Sequence, residues 1–485
     1  MGIFQKLFKQ TFIYGLATVL PRALGIVLVP IYVNALDPEE YGIYGSLMPL
    51  IILGNVLLSY GMETAFFRFI NKDSSKKRIV QSTVLTSLTT STILFLSLGL
   101  IFKQELAVFL EFEIHYIVYA LLILALDALV VLPFVWYRSN ERPMRYAIIK
   151  IFNVLINLGL NLFFVLILPT LAKENTSFWN TIYLKDDLVS YIFIANLIAS
   201  GATFIVMIPL YTKIRFGFDK TIWKMMMRYA FPVLISGIAF SINEAFDKLL
   251  LKYLLPENIA EAQVGIYAAC YKLGVFMTLF STAFRLGIEP FFFNYASAKN
   301  AKETYAKITL YFSILGSFIL LGVIVFSNLL KGLVVTNPDY WEAMIIVPII
   351  LLANLCLGIY HNLSVWYKVT DRTKYGAYIS VVGAMITLAL NFLLIPIYSY
   401  IGCAIATLAA YGTMMILSWY FGRKYYPVPY DLKKIGMYMM LSIGFSTLSF
   451  YVFDSNYYIS VPLLLVFLVV LYTFEKKEIQ QILKR

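Results

Sequence analysis

Residues 115–138 read His-Tyr-Ile-Val-Tyr-Ala-Leu-Leu-Ile-Leu-Ala-Leu-Asp-Ala-Leu-Val-Val-Leu-Pro-Phe-Val-Trp-Tyr-Arg. A helix needs about 20 predominantly apolar residues to cross the ~30 Å hydrocarbon core of a bilayer. This run exceeds that length with one internal charge, Asp127, and ends in Trp136, Tyr137 and Arg138, residue types that collect where a span meets water. It reads as a transmembrane helix, and the rest of the chain has the same character. Of 485 residues 60% are apolar, 16% aromatic and 14% charged, and the mean hydropathy is +0.78. Soluble domains carry about 45–50% apolar and about 25% charged residues. That gap excludes an ordinary cytosolic enzyme, a disordered chain and a secreted disulfide scaffold. Cys270, Cys356 and Cys403 all fall in apolar stretches, with no paired spacing for a disulfide or metal framework.

The same ruler places fourteen spans near 11–33, 41–61, 79–101, 115–136, 146–168, 188–211, 229–250, 264–284, 306–327, 342–363, 375–395, 401–421, 434–453 and 458–474. Positive charge tests the count, because short cytoplasmic segments retain Lys and Arg. With the N-terminus inside, only Lys103, Lys173, Lys185, Lys248, Lys252 and Lys331 fall on the outer side, and Arg22 and Lys272 fall within spans. All the rest of the 39 basic residues lie in inner segments. One missed or extra helix would scramble this alternation. Both termini are therefore placed in the cytoplasm, and the net charge of +12 is a topology signal. Dispersed over many short segments, it makes no nucleic-acid footprint. No connection is long enough for a separate soluble domain.

Trp136-Tyr137-Arg138-Ser139-Asn140-Glu141-Arg142 leaves the fourth span, and Trp366-Tyr367-Lys368-Val369-Thr370-Asp371-Arg372 leaves the tenth. At the same offset Leu158-Gly159-Leu160-Asn161 matches Leu388-Ala389-Leu390-Asn391. Tyr41-Gly42-Ile43-Tyr44 at the start of span two echoes Val264-Gly265-Ile266-Tyr267 at the start of span eight, and Thr64-Ala65-Phe66-Phe67-Arg68 echoes Thr282-Ala283-Phe284-Arg285. The shift is six spans, an even number, so the two units share one orientation. The expected architecture is an all-α polytopic membrane protein of about fourteen helices: two parallel six-helix repeats forming N- and C-lobes (1–211 and 212–421), plus two appended helices and a cytoplasmic tail (422–485). Parallel repeats are a recurring secondary-transporter plan, with the site near the midplane between halves.

Charges at helix centres cost at least about 2.5–3.5 kcal/mol each, so they face a cavity or a partner. Arg22 lies roughly 16 Å into span one at about 1.5 Å per residue, on a face shared with Gly15, Thr18 and Gly25. Lys272 in span eight has Gly265, Ala268 and Ala269 on its face. Two readings stand side by side. Arg22 and Lys272 are cavity cations that meet a phosphate, one from each repeat, or they are buried structural ion pairs, Arg22 with Asp127 and Lys272 with Glu244 or Asp247. Asp127, Glu244 and Asp247 are read as counter-ions, with coupling-ion carriage as the second role. Asn153, Asn157 and Asn161 share one face of span five, as a polar path for sugar hydroxyls or as hydrogen-bonding glue between helices. His115 and His361 make no ligand set and are read as interface residues. No metal or cofactor is expected. Neither a GxxxxGK[ST] phosphate loop nor an HExxH or GxSxG motif is present, so the chain does not read as an enzyme.

Pro21-Arg22, Leu36-Asp37-Pro38-Glu39-Glu40-Tyr41-Gly42-Ile43-Tyr44, Phe231-Pro232, Asp247-Lys248, Val264-Gly265-Ile266-Tyr267 and Leu390-Asn391-Phe392-Leu393-Leu394-Ile395-Pro396 leading to Gly402 together resemble bacterial polysaccharide biosynthesis membrane proteins of the O-antigen flippase (Wzx-like) type. That family lies within the multidrug/oligosaccharidyl-lipid/polysaccharide (MOP) exporter superfamily, and the resemblance covers nearly the whole chain. It implies translocation of an undecaprenyl-diphosphate-linked glycan from the inner to the outer leaflet of a bacterial cytoplasmic membrane by alternating access. The implied partners are the polyprenyl-diphosphate-linked saccharide, membrane lipids, H+ or Na+ as coupling ions, and the polymerase and chain-length proteins of an assembly pathway. The competing functions are an ion-coupled multidrug or cation antiporter of the same superfamily, which should favour acidic cavity residues, and a flippase of a peptidoglycan precursor.

Overall fold

The computed structural model describes residues 3–72, 77–174, 178–185, 187–296 and 298–483. Among them fourteen helices are long and apolar enough to cross a membrane. The first six are spans 1 (Gly15–Ala35), 2 (Pro38–Ile70), 3 (Lys77–Ile101), 4 (Ile114–Ser139), 5 (Pro143–Lys173) and 6 (Leu188–Tyr211). Next come spans 7 (Lys220–Leu254), 8 (Glu257–Glu289), 9 (Ala301–Val325), 10 (Pro338–Val369), 11 (Lys374–Tyr398) and 12 (Tyr400–Tyr425). Spans 13 (Leu432–Val452) and 14 (Tyr457–Lys476) complete the set. Each coincides with a span read from hydropathy. Several run further: span 7 starts at Lys220 and span 8 continues to Glu289. An apolar window detects the part of a helix matched to hydrocarbon, whereas the backbone hydrogen-bond ladder continues into the polar flank.

Local signals set the starts. Asp37 caps span 2, accepting from the Glu40 amide at 2.9 Å while the Glu40 side chain accepts from the Asp37 amide at 3.2 Å, with Pro38 in the first turn. Asp187 and Asp219 cap spans 6 and 7 in the same way, through the amides of Ser190 and Ile222.

The packing repeats as the sequence does. In the first unit span 1 packs on span 5, span 2 on 4, span 3 on 4, and spans 4 and 5 on 6. Shifted by six, the same neighbours recur: 7 on 11, 8 on 10, 9 on 10, and 10 and 11 on 12. Spans 13 and 14 attach mainly to span 9. Ser442 of span 13 donates to the Ser317 carbonyl at 2.7 Å, and the buried Glu475 of span 14 pairs with Lys434 at 2.9 Å.

The two units meet chiefly through span 8 against spans 1 and 2, and span 7 against span 2. The N-terminal part of span 7 belongs with the first unit: Ile222, Met226 and Ala230 share a core with Phe66, Val84 and Leu132. Trp223 adds a hydrogen bond from its indole to Ser87 at 2.9 Å. Further along, the same helix packs on span 11.

Candidate functional site

Between the two units lies a cavity of about 380 Å³, walled by spans 1, 2, 7, 8, 10 and 12. Arg22 and Lys272 both line it, one from each unit. Small residues on their faces make the room: Gly25 beside Arg22 has nothing within 4 Å of where a Cβ would stand, and Ala268 stands one turn before Lys272.

Arg22 Nη2 lies 3.7 Å from Glu244 Oε1, and Nη1 lies 3.5 Å from the Thr282 hydroxyl. The Arg22 and Glu244 side chains keep 41% and 38% of their surface exposed. At that distance and exposure the pair is a loose contact, able to yield to another anion. Lys272 makes no hydrogen bond or ion pair among the described residues. Glu244 is the one carboxylate among the lining residues described, against Arg22, Lys248, Lys272 and Arg285. The wall is therefore net positive. Fixed cations in a low-dielectric recess concentrate an anionic ligand.

The other residues singled out by sequence take different places. Asp247 is buried and locked: it accepts from the Lys248 ammonium at 3.2 Å, the Lys248 amide at 2.9 Å and the Tyr267 hydroxyl at 2.5 Å. Lys248 also lies 4.0 Å from the centre of the Tyr271 ring, a cation–π contact at the cavity edge. Asp127 sits inside the first unit, accepting from Ser200 at 2.8 Å and Asn55 at 3.3 Å. Neither Arg22 nor Lys272 is paired with it. Asn153 donates to Thr203 at 3.0 Å. Asn161 donates to the side chain of Asn157 at 3.1 Å and accepts from the Tyr32 hydroxyl at 2.7 Å. Asn153 ties span 5 to span 6 and Asn161, supported by Asn157 of its own helix, ties it to span 1; none of the three lines this cavity.

Sequence patterning does not place two further lining residues. Arg285 falls with the inner-segment charges by hydropathy, because the apolar window of span 8 ends at Phe284, but the helix continues and carries it into the cavity wall. His361, read as an interface residue, lines the cavity with its Nε2 3.5 Å from Arg285 Nη1. The available signal is helical spacing: Thr278, Ser281 and Arg285 recur at intervals of three and four residues along the lining face of span 8.

The end of the cavity where spans 1 and 2 join is closed by backbone. A Cβ on Gly42 would overlap the Glu261 carbonyl, and one on Gly265 would overlap the Pro38 carbonyl and stand 2.9 Å from the Gly42 amide nitrogen. These are the glycines of the two repeated Gly-Ile-Tyr triplets, now packed on each other. Around them Asn34 donates to Thr336 at 2.7 Å, Asn337 to the Val33 carbonyl at 3.0 Å and Tyr340 to the Leu36 carbonyl at 2.9 Å. Lys252 adds a hydrogen bond to the Glu111 carbonyl at 2.7 Å. At the opposite end the units also touch: a Cβ on Gly15 would stand 3.5 Å from Leu286, and Gly61, at φ +72°, lies against the Ala230 carbonyl.

Residues 7–278 match the family model described as polysaccharide biosynthesis protein. No curated protein sequence matches the chain. Among solved structures, the chain is similar to the lipid II flippase MurJ in an inward closed conformation, with a TM-score of 0.72 at 15% identity over 96% of this chain and 99% of that one. It is also similar to a multidrug resistance MATE family transporter of the MOP superfamily. For its inward-facing conformation the TM-score is 0.64 at 12% identity, over 91% of this chain and 96% of that one. For an outward-facing conformation of such a transporter it is 0.57 at 14% identity, over 90% and 99%. Identities this low establish a shared fold, the two-unit helical plan described above.

Proposed function

The chain belongs to the polysaccharide biosynthesis protein family, and from that premise we propose that it is a flippase moving an undecaprenyl-diphosphate-linked glycan from the inner to the outer leaflet of a bacterial cytoplasmic membrane. The observation that carries the reading is the net-positive cavity between two repeats, lined by Arg22, Lys272 and Arg285. A diphosphate with its sugars cannot enter hydrocarbon unshielded. Cations in a wet cleft provide the counter-charge, and the polyprenyl chain stays in lipid beside the gap. Residues 1–211 and 212–421 act as lobes that rock about the cavity, with residues 422–485 carried by the second lobe and both termini in the cytoplasm. With the termini in the cytoplasm the end closed by Gly42 and Gly265 is the outer mouth; shut, it corresponds to the state awaiting a headgroup from the inner leaflet, and the chain's similarity to inward conformations of the same fold supports that reading. A single lining carboxylate, Glu244, weighs against a cation antiporter, which needs acidic groups to hold its cargo.

In this mechanism Arg22 exchanges Glu244 for a phosphate oxygen, and Lys272, already unpaired, takes a second oxygen by a charge-assisted bond. Glu244 and Asp247 serve as counter-ions to Arg22 and Lys248, Glu244 being the one that releases its partner on loading, while Asp127 stays with Ser200 and Asn55 inside the first unit. The glycan then passes to the polymerase and chain-length proteins of an assembly pathway. Arg22→Ala tests the assignment in cells by blocking appearance of the lipid-linked glycan outside while leaving its synthesis intact. Normal export by a stably inserted variant overturns it.

A further inference from the structure

Resting on that reading, we infer that His361 takes up a proton when an anionic headgroup engages Arg285, so that proton binding is part of headgroup binding. A guanidinium carries N–H donors only and stays charged at all accessible pH. Arg285 Nη1 lies 3.5 Å from His361 Nε2, a contact that suits a neutral ring with its lone pair on Nε2 and its proton on Nδ1.

The surroundings hold the ring in that form. From span 8 it faces Arg285 and Glu289, and from its own helix Lys368, Tyr360 and Tyr367. Across the cavity stand Arg22 of span 1, Glu244 of span 7 and Tyr411 of span 12. Neither carboxylate is free to balance an imidazolium: Glu289 accepts from Lys368 at 2.5 Å, and Glu244 faces Arg22. Tyr360 and Tyr367 bond each other at 3.2 Å, and Tyr411 donates to the Asn243 carbonyl. A second positive charge beside Arg285 therefore has no compensation until an anion arrives.

A diphosphate provides that compensation. Once Arg285 turns its N–H groups to a phosphate oxygen, Nε2 loses a donor and gains a negative neighbour. It then takes a proton from a buffer acid in solvent and keeps it, hydrogen-bonding through it to the same anion. One N–H bond forms on the ring as the buffer acid's bond to that proton breaks, leaving its conjugate base in solution. An ordinary histidine titrates near 6.5, close enough to neutrality for one displaced charge to switch it.

The test is isothermal titration of the full chain in detergent with geranylgeranyl diphosphate, in Tris and in Pipes, whose ionisation heats differ. The buffer dependence counts protons exchanged, and the His361→Gln variant carries the ligand's own ionisation, so the difference between proteins isolates the ring. The expected result is an extra uptake approaching about one proton by the wild type, and an affinity that tightens by up to about tenfold per pH unit towards pH 6 and loses this dependence in His361→Gln. Binding by the wild type with no buffer dependence beyond the ligand's own overturns the His361 inference and leaves the flippase reading standing. An equal proton count in both proteins overturns that inference in the same way. No binding by the wild type overturns both. Because the wild type alone falsifies the inference, a misfolded variant does not shield it.

Discussion

Gly42 and Gly265 hold equivalent positions in the two repeats and pack on each other at the end of the cavity where spans 1 and 2 join, the Gly42 amide nitrogen lying 2.9 Å from where a Gly265 Cβ would stand. Carbonyl backbone closes the remaining space on both sides, so neither position accepts even a methyl group without the helices moving apart.

Gly42→Ala and Gly265→Ala should therefore hold the outer mouth ajar. A cysteine placed at Thr278, on the cavity wall, should gain labelling by an impermeant maleimide added outside, several-fold over the same cysteine in the parent, while transport falls. Unchanged labelling with unchanged transport would show that this crossing is not the gate.

Glu244→Gln separates binding from stability. The Arg22–Glu244 contact is more than a third exposed on both sides, so its loss should cost about 1 kcal/mol or less and leave thermal unfolding in detergent nearly unshifted. Freed of its competitor, Arg22 should hold a diphosphate lipid more tightly and release it more slowly. A large drop in melting temperature would instead mark Glu244 as a structural counter-ion.

Tyr32→Phe probes the asparagine face of span 5. It removes a buried hydrogen bond to Asn161 at 2.7 Å that joins spans 1 and 5. Interhelical bonds in membranes are worth about 0.6–2 kcal/mol, so unfolding should shift down by that order with headgroup affinity unchanged. A selective loss of glycan binding would restore the asparagines to the transport path.

Asp187, between the fifth and sixth spans, gives a pH signature. Burial pushes its carboxyl up, but hydrogen bonds from Ser190 and Tyr116 and the nearby His115 outweigh this and hold it below the usual carboxylate range. A carboxyl lowered in the folded state stabilises above its unfolded value of about 4, and that stabilisation is lost as pH falls through the lowered value. Asp187→Asn should unfold more easily than wild type at neutral pH and lose the difference towards pH 3. Parallel melting curves across that range would contradict the assignment.

The span count, the two orientations of charge and the repeat were legible because each is a one-dimensional pattern. Trp136-Tyr137-Arg138 and Trp366-Tyr367-Lys368 sit at one offset whatever the chain does in space. The observed packing then repeats under the same six-span shift. Arg22 and Lys272 stood out because an isolated charge in an apolar run is expensive wherever the helix turns. Arg285 and His361 did not stand out. Each lies near a span end, where charge and imidazole are cheap; the continuation of span 8 carries Arg285 into the wall, and the packing of span 10 on span 8 sets His361 beside it.

The sequence by itself determined a fourteen-span, doubled helical membrane protein with stray intramembrane charges, since hydropathy, charge placement and periodicity are local costs that every residue meets alone. Partner choice was decided by tertiary structure. Asp127 could equally have faced Arg22, and Asp247 Lys272; the fold gives Asp127 to Asn55 and Ser200, ties Asp247 to Lys248 and Tyr267, and leaves Lys272 in the cavity with no hydrogen bond or ion pair among the described residues. Which charges cancel depends on how helices rotate and tilt against one another, and rotation is fixed by side-chain packing summed over the whole bundle rather than by any stretch of chain.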